Sequence, residues 1–243
     1  MSDPLAGFAL TPDPLPRPVV FDQHWRSVGF VHWPVEPATV APLFPKGTRP
    51  DVFADGFTYV GLVPFRMEDA GFGRRPVRYF GTFLETNIRL YSVDDAGRHG
   101  VFFRSLDATR LAIVPLALVV FGIPYAWSRM RYSHVDDVVR YDSRRRWPRR
   151  GLRSHVALRV GEPIEPTPLE SWLTARWGAH SRVAGQTIWT PNEHGPWPLH
   201  RAEVLHLRDD LLGASGVEPA GPAMPALWSP GVRTRFGRPS PVR

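Results

Sequence analysis

The chain has 243 residues, of which 43% are hydrophobic, 12% aromatic and 22% charged, a composition typical of a globular protein. It contains no cysteine, which excludes disulfides, thiolate metal sites, cysteine nucleophiles and iron–sulfur clusters. The formal net charge is +7, yet Lys46 is the only lysine among the 30 basic residues. Almost every lysine-dependent chemistry is therefore excluded.

Residues 1–20 carry five prolines and lack the basic start and apolar run of a secretory signal. We expect a proline-rich tail over 1–20, one domain over 21–243, and a cytoplasmic location. The uncharged stretch Leu111–Ser128 is interrupted by Pro115 and Pro124, and a membrane span needs about 20 apolar residues. It is predicted to be a buried core helix, and no membrane partner is expected.

Stretches with alternating, β-branched and aromatic residues predict strands, in chain order, over 27–33, 58–67, 77–93, 99–106, 131–142, 152–160, 182–190 and 199–207. Helices are predicted over 37–44, from Asp107 onward, and from the capping box of Thr167 and Glu170 through Trp177. Residues 216–243, rich in proline and glycine, are predicted to be irregular. The strands come as hairpins, which predicts an α+β fold, mainly antiparallel β: a closed barrel with two or three helices packed outside.

The common cofactor motifs fail on spacing or context. GFGRRP at 71–76 has Pro76 at the third glycine position of a dinucleotide fingerprint, and the sequence has no phosphate loop and no nucleophile elbow. His200 and His206, if on one strand, are roughly 20 Å apart, too far to share a metal ion. His194 is the third histidine of this region. We expect no cofactor and no metal site.

Five arginines surround Trp147 in the segment 144–150: Arg144, Arg145, Arg146, Arg149 and Arg150. Such a patch could stack on and neutralise nucleic acid, or meet another acidic partner. The alternative is a solvated hairpin tip, because strand-like segments flank it and residues 148–151 have turn chemistry. The hairpin tip is favoured, so nucleic acid is not expected as the partner.

The stretch FLETNIRLY at 83–91 separates polar from apolar residues. In a strand, one face carries Phe83, Glu85, Asn87, Arg89 and Tyr91, and the other face is apolar. Either the polar face meets water, with Glu85 and Arg89 as an exposed pair, or it lines a polar cavity inside a barrel. In a cavity the two charges are expected to pair, so truncating Arg89 would cost about 3–5 kcal/mol, against about 0–1 kcal/mol for an exposed pair.

Seven segments in this order resemble the YqjF-like domain of unknown function 2071 over about 210 residues. They are FVHWPV at 30–35, YVGLVPFRM at 59–67, ETNIRLY at 85–91, FFRSLDATR at 102–110, GIPYAWSRM at 122–130, HGPWPL at 194–199 and SPGVRTRFGRP at 229–239. That family looks like a distant branch of the acetoacetate-decarboxylase-like fold, a cone-shaped antiparallel barrel around a polar cavity. The resemblance favours the cavity interpretation and implies that Glu85 matches a carboxylate lining it.

The resemblance also indicates one reaction that this chain is not expected to carry out, imine formation through a lysine. In acetoacetate decarboxylases a G-x-P-K-K segment supplies a Schiff-base lysine and its cationic neighbour. The similar segment here is GIPYA at 122–126, with Tyr125 and Ala126 at the two lysine positions. Neither residue can form an imine, so carbonyl trapping is not expected.

These features predict a barrel that binds a small anionic or carbonyl-bearing ligand, with enzymatic activity and oligomeric state left open. Arg89 would clamp a carboxylate, Asn87 would orient it, and Glu85 would be an acid or base with a raised pKa. Tyr125 could donate to an oxyanion. The rim would be formed by His194 and Trp197. The alternative function is a non-catalytic regulatory module that contacts an acidic partner through the arginine hairpin at 144–150.

Overall fold

The computed structural model describes residues 4–72, 75–76, 81–110, 122 and 124–242. Strands in these ranges are β1 (Phe21–Val35), β2 (Thr48–Pro50), β3 (Thr58–Phe72), β4 (Arg75–Pro76), β5 (Phe83–Asp94), β6 (His99–Ala108), β7 (Tyr125–Val135), β8 (Val138–Trp147), β9 (Arg153–Pro163), β10 (Gly178–Val183), β11 (Gln186–His194), β12 (His200–Asp209), β13 (Ala226–Phe236) and β14 (Ser240–Pro241). Helices in the same ranges are α1 (Pro37–Val40), α2 (Pro168–Thr174) and α3 (Leu211–Ala214), with a 3₁₀ turn at Ala41–Leu43.

Nine strands close into a ring through backbone hydrogen bonds. Their order is β6, β7, β8, β9, β12, β13, β1, β3 and β5, and pairing of β5 with β6 completes the circle. Every neighbouring pair in the ring is antiparallel except β6–β7, which is parallel. Closure leaves the ring without an open edge. The predicted fold class, a mainly antiparallel closed barrel with few helices, is confirmed.

The hairpin of β10 and β11 makes a second bridge between two strands of this ring. β10 pairs in parallel with β6 at Ala179 and His180, and β11 pairs with β13 at Asn192–His194. Two closed rings of strands thus share one sheet, which consists of β13, β1, β3, β5 and β6. One face of that sheet turns toward β8 and β9, and the other turns toward β11 and α2.

Strand β5 lies in this shared sheet, so both of its faces are buried. Ile88 and Leu90 join the main apolar core, which includes Val139, Tyr141, Val156 and Leu158 of β8 and β9. On the other face Glu85, Asn87 and Arg89 are only 3%, 4% and 8% exposed. The interpretation in which this polar face meets water is wrong, because the β10–β11 hairpin and α2 cover it.

Two segments predicted as single strands are hairpins. The segment 131–142 turns at Asp136, whose φ is 52°, and the segment 182–190 turns at Ala184 and Gly185, with φ of 48° and 83°. The two consecutive positive φ angles at Ala184 and Gly185 match the right-handed twist of hairpin strands. Residues 216–243 are also less irregular than predicted, because β13 pairs with β1 and β12.

The predicted capping box is confirmed. Thr167 Oγ1 accepts from the Glu170 backbone N–H at 3.3 Å, and Glu170 Oε2 accepts from the Thr167 backbone N–H at 2.9 Å. The helix ends at Thr174, three residues earlier than predicted. Its carbonyl end faces the polar side of β5, which places α2 beside the candidate site.

The helix predicted from Asp107 onward does not begin there, because Asp107 and Ala108 complete β6. Tyr125–Ser128, the end of the predicted core helix, opens β7 instead. Residues 111–121 and 123 lie outside the described residues. Within the described part of the chain, no helix has the length and apolarity that a membrane crossing requires.

Candidate functional site

Three neighbouring strands bring Tyr125 to the polar face of β5. Tyr125 pairs with Leu106 on β6, and Leu106 pairs with Asn87 on β5. The Tyr125 hydroxyl donates to Glu85 Oε2 at 2.8 Å. The predicted residues Glu85, Asn87 and Tyr125 therefore lie together at one end of the site.

Burial, together with a smaller effect of the negative charge of Asp107, raises the pKa of Glu85 to about 7. Hydrogen bonds from Tyr125 and Asn87 act in the opposite direction. Burial and the neighbouring Glu85 raise the pKa of Tyr125 well above its usual value. Glu85 can thus gain or release a proton near neutral pH, while Tyr125 stays protonated and donates.

The raised pKa of Glu85 predicts a specific pH dependence of stability. Between the ordinary value of 4.5 and about 7 the folded protein keeps a proton on Glu85 that the unfolded chain has released. The stabilisation from Glu85 is therefore present below this window and is lost as the pH rises through it. Relative to wild type, Glu85→Gln should become more stable from about pH 4.5 to 7 and then stay level.

Urea unfolding of both proteins across this pH range measures the difference. The wild type alone is a poor test, because burial lowers the pKa of both His180 and His194 to about 4, which gives an opposite slope. Because both proteins contain these histidines, their contributions cancel in the difference between the two free energies of unfolding. The glutamine side chain keeps an acceptor for the Tyr125 hydroxyl. A difference that does not change with pH would contradict the raised pKa.

Arg89 forms the other end of the site. One of its terminal nitrogens donates to the Tyr91 hydroxyl at 3.3 Å and to the Leu173 carbonyl of α2 at 3.2 Å. Its Nε is buried without a hydrogen-bond partner, and no carboxylate of the described residues pairs with it. The Tyr91 hydroxyl also forms a hydrogen bond with His32 Nε2 at 2.7 Å. Burial and the charge of Arg89 hold the pKa of His32 well below its usual value, so His32 is neutral.

Gly61 explains how Arg89 and His32 come so close. It lies on β3 between them, pairing with His32 on β1 and with Arg89 on β5. A Cβ at this position would lie 3.0 Å from His32 Cδ2 and 3.5 Å from Arg89 Cγ. The missing side chain therefore makes room for both groups.

The expected ion pair between Glu85 and Arg89 is not formed. The two residues are four positions apart on one strand, roughly 13 Å along it, and each binds other groups. Asn87 lies between them, with its Oδ1 buried and without a hydrogen-bond partner. The site therefore has an acid–base end and a cationic end, joined by an unsatisfied amide oxygen.

An aromatic wall continues from Arg89 toward the predicted rim. The guanidinium carbon of Arg89 lies 5.7 Å from the Phe30 ring centre, and Phe30 contacts Trp197 at 5.2 Å. The ring centre of Trp197 lies 5.2 Å from that of His194, and Trp197 stacks on Trp25 with ring centres 5.8 Å apart. The structure thus brings the two rim candidates together and links them to Arg89.

His194 is an uncharged member of this wall. Its Nδ1–H donates to the Gly195 carbonyl at 2.7 Å. Burial lowers its pKa to about 4, and the positive charge of Arg89 acts in the same direction. Neutral His194 therefore retains Nε2 as an acceptor.

Sequence reasoning did not propose His32, Phe30, Trp25 or Tyr91 as site residues. The strand alternation did place Tyr91 on the face of Glu85 and Arg89, so its signal was present. His32 and Phe30 belong to the segment FVHWPV, but only the pairing of β1 with β3 brings them to Arg89. Trp25 reaches the site because β1 has an irregular register between Arg26 and Val31.

The arginine-rich segment does form a turn, between β8 and β9. It is not solvated throughout, because Arg145 is buried and binds Asp107 of β6. Arg144, Arg149 and Arg150 remain exposed. The histidine considered for a metal in β12, His200, donates instead to the Gly161 carbonyl at 2.9 Å.

Solved structures with this fold define the class of protein. The crystal structure of acetoacetate decarboxylase from Legionella pneumophila subsp. pneumophila str. Philadelphia 1 is 13% identical, with a TM-score of 0.65, covering 95% of this chain and 92% of that one. The enduracididine biosynthesis enzyme MppR complexed with pyruvate is 13% identical, with a TM-score of 0.63 and coverage of 93% and 91%. The fold is acetoacetate-decarboxylase-like.

Within this class, residues 22–233 match the family model of domain of unknown function 2071, described as an uncharacterized conserved protein, and the chain belongs to that family. The uncharacterized protein YqjF of Bacillus subtilis (strain 168) is 29% identical over 202 residues, 82% of each chain. The resemblance seen in the sequence is confirmed.

Proposed function

We propose that this protein binds a small organic acid that also carries a carbonyl or hydroxyl group. The carboxylate would bind Arg89, and the second oxygen would lie toward Asn87 and Glu85. The observation that carries this proposal is Arg89, a buried guanidinium with no carboxylate partner among the described residues. A buried cation is costly unless an anion compensates it, and a bound acid would supply that anion.

Unsatisfied polar atoms support the same proposal. Three buried atoms have no hydrogen-bond partner among the described residues: Asn87 Oδ1, Arg89 Nε and Trp25 Nε1. Such orphan groups are rare in folded proteins and are often completed by a ligand or water. Two donors and one acceptor suit a molecule with both a carboxylate and a hydroxyl or carbonyl oxygen.

The acid–base end would act on such a ligand without an imine. Tyr125 occupies the position that the family resemblance assigns to a Schiff-base lysine, and its hydroxyl binds Glu85. Lys46 is exposed in a turn. We therefore propose that Glu85 exchanges a proton with the ligand. When Glu85 is protonated it can donate to the Tyr125 oxygen, which frees the Tyr125 hydroxyl to donate to the ligand oxygen.

A ligand-dependent melting screen tests the binding proposal. Pyruvate is the first probe, because it is the ligand named for the MppR structure; acetoacetate and the neutral pyruvamide complete the set. Either acid at millimolar concentration is expected to raise the melting temperature, and pyruvamide is not. Borohydride added with either acid should leave the mass of the protein unchanged. Stabilisation by pyruvamide as well, or a reduced adduct at Lys46, would contradict the proposal.

The same screen distinguishes the acid site from the second candidate function, the arginine hairpin module. Contact between the arginine hairpin and an acidic partner depends on the exposed Arg144, Arg149 and Arg150, since Arg145 is already engaged by Asp107. Heparin, a polyanion, is the probe for that function. Stabilisation by heparin alone, fading with salt, would favour the hairpin module over the acid site.

A further inference from the structure

A pocket distinct from the candidate site lies at an end of the nine-strand ring, where β6, β7 and β8 meet α3. Its volume is about 340 Å³, at the small end of the range for ligand sites. Glu85, Asn87 and Arg89 do not line it. The residues that matter most are Arg104, Tyr125, Arg145, Trp147, Arg149 and Leu211. Only Tyr125 belongs to both this pocket and the candidate site described above.

Three guanidinium groups line the pocket, and among the described residues only one of them has a carboxylate partner. Arg145 is neutralised by Asp107. Arg104 donates twice to the Ser215 carbonyl, at 3.2 and 2.9 Å, and Arg149 donates to the Ala214 carbonyl at 2.7 Å. Neither forms an ion pair within the described part of the chain. The pocket therefore has a net positive charge.

Holding the carbonyls of α3 does not use up these two arginines. A guanidinium has five N–H donors in a planar fork. Arg149 uses one of them and Arg104 uses two in the described hydrogen bonds. Burial and the nearby charge of Arg182 lower the pKa of Arg104. Both side chains are thus fixed in place with donors left for an anion.

The remaining wall is apolar and includes one exposed aromatic ring. Trp147 is 55% exposed, an unusual state for a tryptophan, and it lies beside Pro148 at the pocket. Leu211 and Pro124 form other parts of the wall. A flat apolar group can stack on such a ring, while the arginines bind a negative group attached to it.

From this combination we propose that the pocket is a second ligand site, which binds a small aromatic carboxylate or phosphate. The anionic group lies between Arg104 and Arg149, and the ring packs on Trp147. The shared chemistry is an aryl group bearing one oxyanion. This site is independent of the acid bound at Arg89, so either proposal can fail without the other.

Isothermal titration calorimetry with benzoate and phenyl phosphate tests the proposal and distinguishes the two anions. Benzamide serves as the neutral analogue. At least one of the two anions is expected to bind, and benzamide is expected to bind at least about tenfold more weakly. Trp147→Ala and Arg149→Met should each weaken anion binding by about tenfold or more. Arg144→Met, an exposed arginine of β8 outside the pocket, should leave it unchanged.

Several outcomes would overturn the proposal. Absence of binding by both anions would do so, as would equal binding of benzamide. An equal loss in Arg144→Met, or displacement of the anion by heparin, would show a general cationic surface. If Arg89→Met weakened anion binding and Trp147→Ala did not, the anion would bind at the candidate site and not in this pocket. Trp147→Ala keeps the test valid if Arg149→Met does not fold, because Trp147 is exposed.

Discussion

Replacing Arg145 by methionine is expected to lower the free energy of unfolding by about 3–5 kcal/mol. Asp107 is fully buried, and Arg145 is only 7% exposed at its side chain. Arg145 Nε donates to Asp107 Oδ2 at 3.0 Å, and a terminal nitrogen donates to Asp107 Oδ1. Without the guanidinium, the carboxylate keeps only neutral hydroxyl donors among the described residues, from Ser105 at 3.1 Å and from Ser128 at 2.5 Å. Urea unfolding of the variant measures the loss.

Two further variants separate charge from packing. Arg144→Met changes the preceding residue, which is exposed, and should alter stability by no more than about 0.5 kcal/mol. Arg145→Met combined with Asp107→Asn leaves no uncompensated charge, so it should be more stable than Arg145→Met alone. If the double variant were no more stable, packing rather than charge would explain the loss.

Replacing Arg89 by methionine is expected to abolish binding of the organic acid while leaving stability unchanged or higher. The variant loses hydrogen bonds to Tyr91 and Leu173, but it also removes a buried cation that no carboxylate of the described residues compensates. Loss of a buried charge pair with the ligand weakens binding by at least about thirtyfold. Calorimetry with pyruvate and urea unfolding measure the two effects.

This outcome differs from the one expected from the sequence, where Arg89 was paired with Glu85 and its truncation destabilising. Arg129→Met, at an exposed position of β7, is the matched control and should change neither binding nor stability. A loss of stability of about 3 kcal/mol or more in Arg89→Met would mean that Arg89 holds the fold as an ion-pair partner. Unchanged pyruvate binding would remove Arg89 from the site.

Local chemistry was sufficient for part of the fold. Alternation predicted the core of most strands, because a strand with distinct faces repeats every two residues. The capping box at Thr167 and Glu170 located α2, since both of its hydrogen bonds are local. The turns at Asp136 and Ala184 were missed because neither carries the Asn-Gly or Asp-Gly signal typical of a two-residue hairpin.

The ring closures depend on contacts that local patterns do not encode. Pairing of β5 with β6 closes the nine-strand ring, and β10 and β11 bridge β6 and β13 far along the chain. The hairpin pattern predicted a closed barrel, and alternation left a polar cavity as one of two interpretations; the resemblance of seven segments to a known family favoured the cavity. Residues 216–243 looked irregular because they are rich in glycine and proline, yet β13 pairs with β1, β12 and β11 and so belongs to both rings.

The candidate site, like the fold, was only partly determined by local sequence patterns. The sequence by itself determined that Glu85, Asn87, Arg89 and Tyr91 share one face of a strand, because side chains alternate along β5. Only the tertiary structure decided that this face is covered, because β11 and α2 come to it from distant parts of the chain. It also decided that Glu85 binds Tyr125 rather than Arg89, since strand pairing brings that hydroxyl within 2.8 Å of the carboxylate.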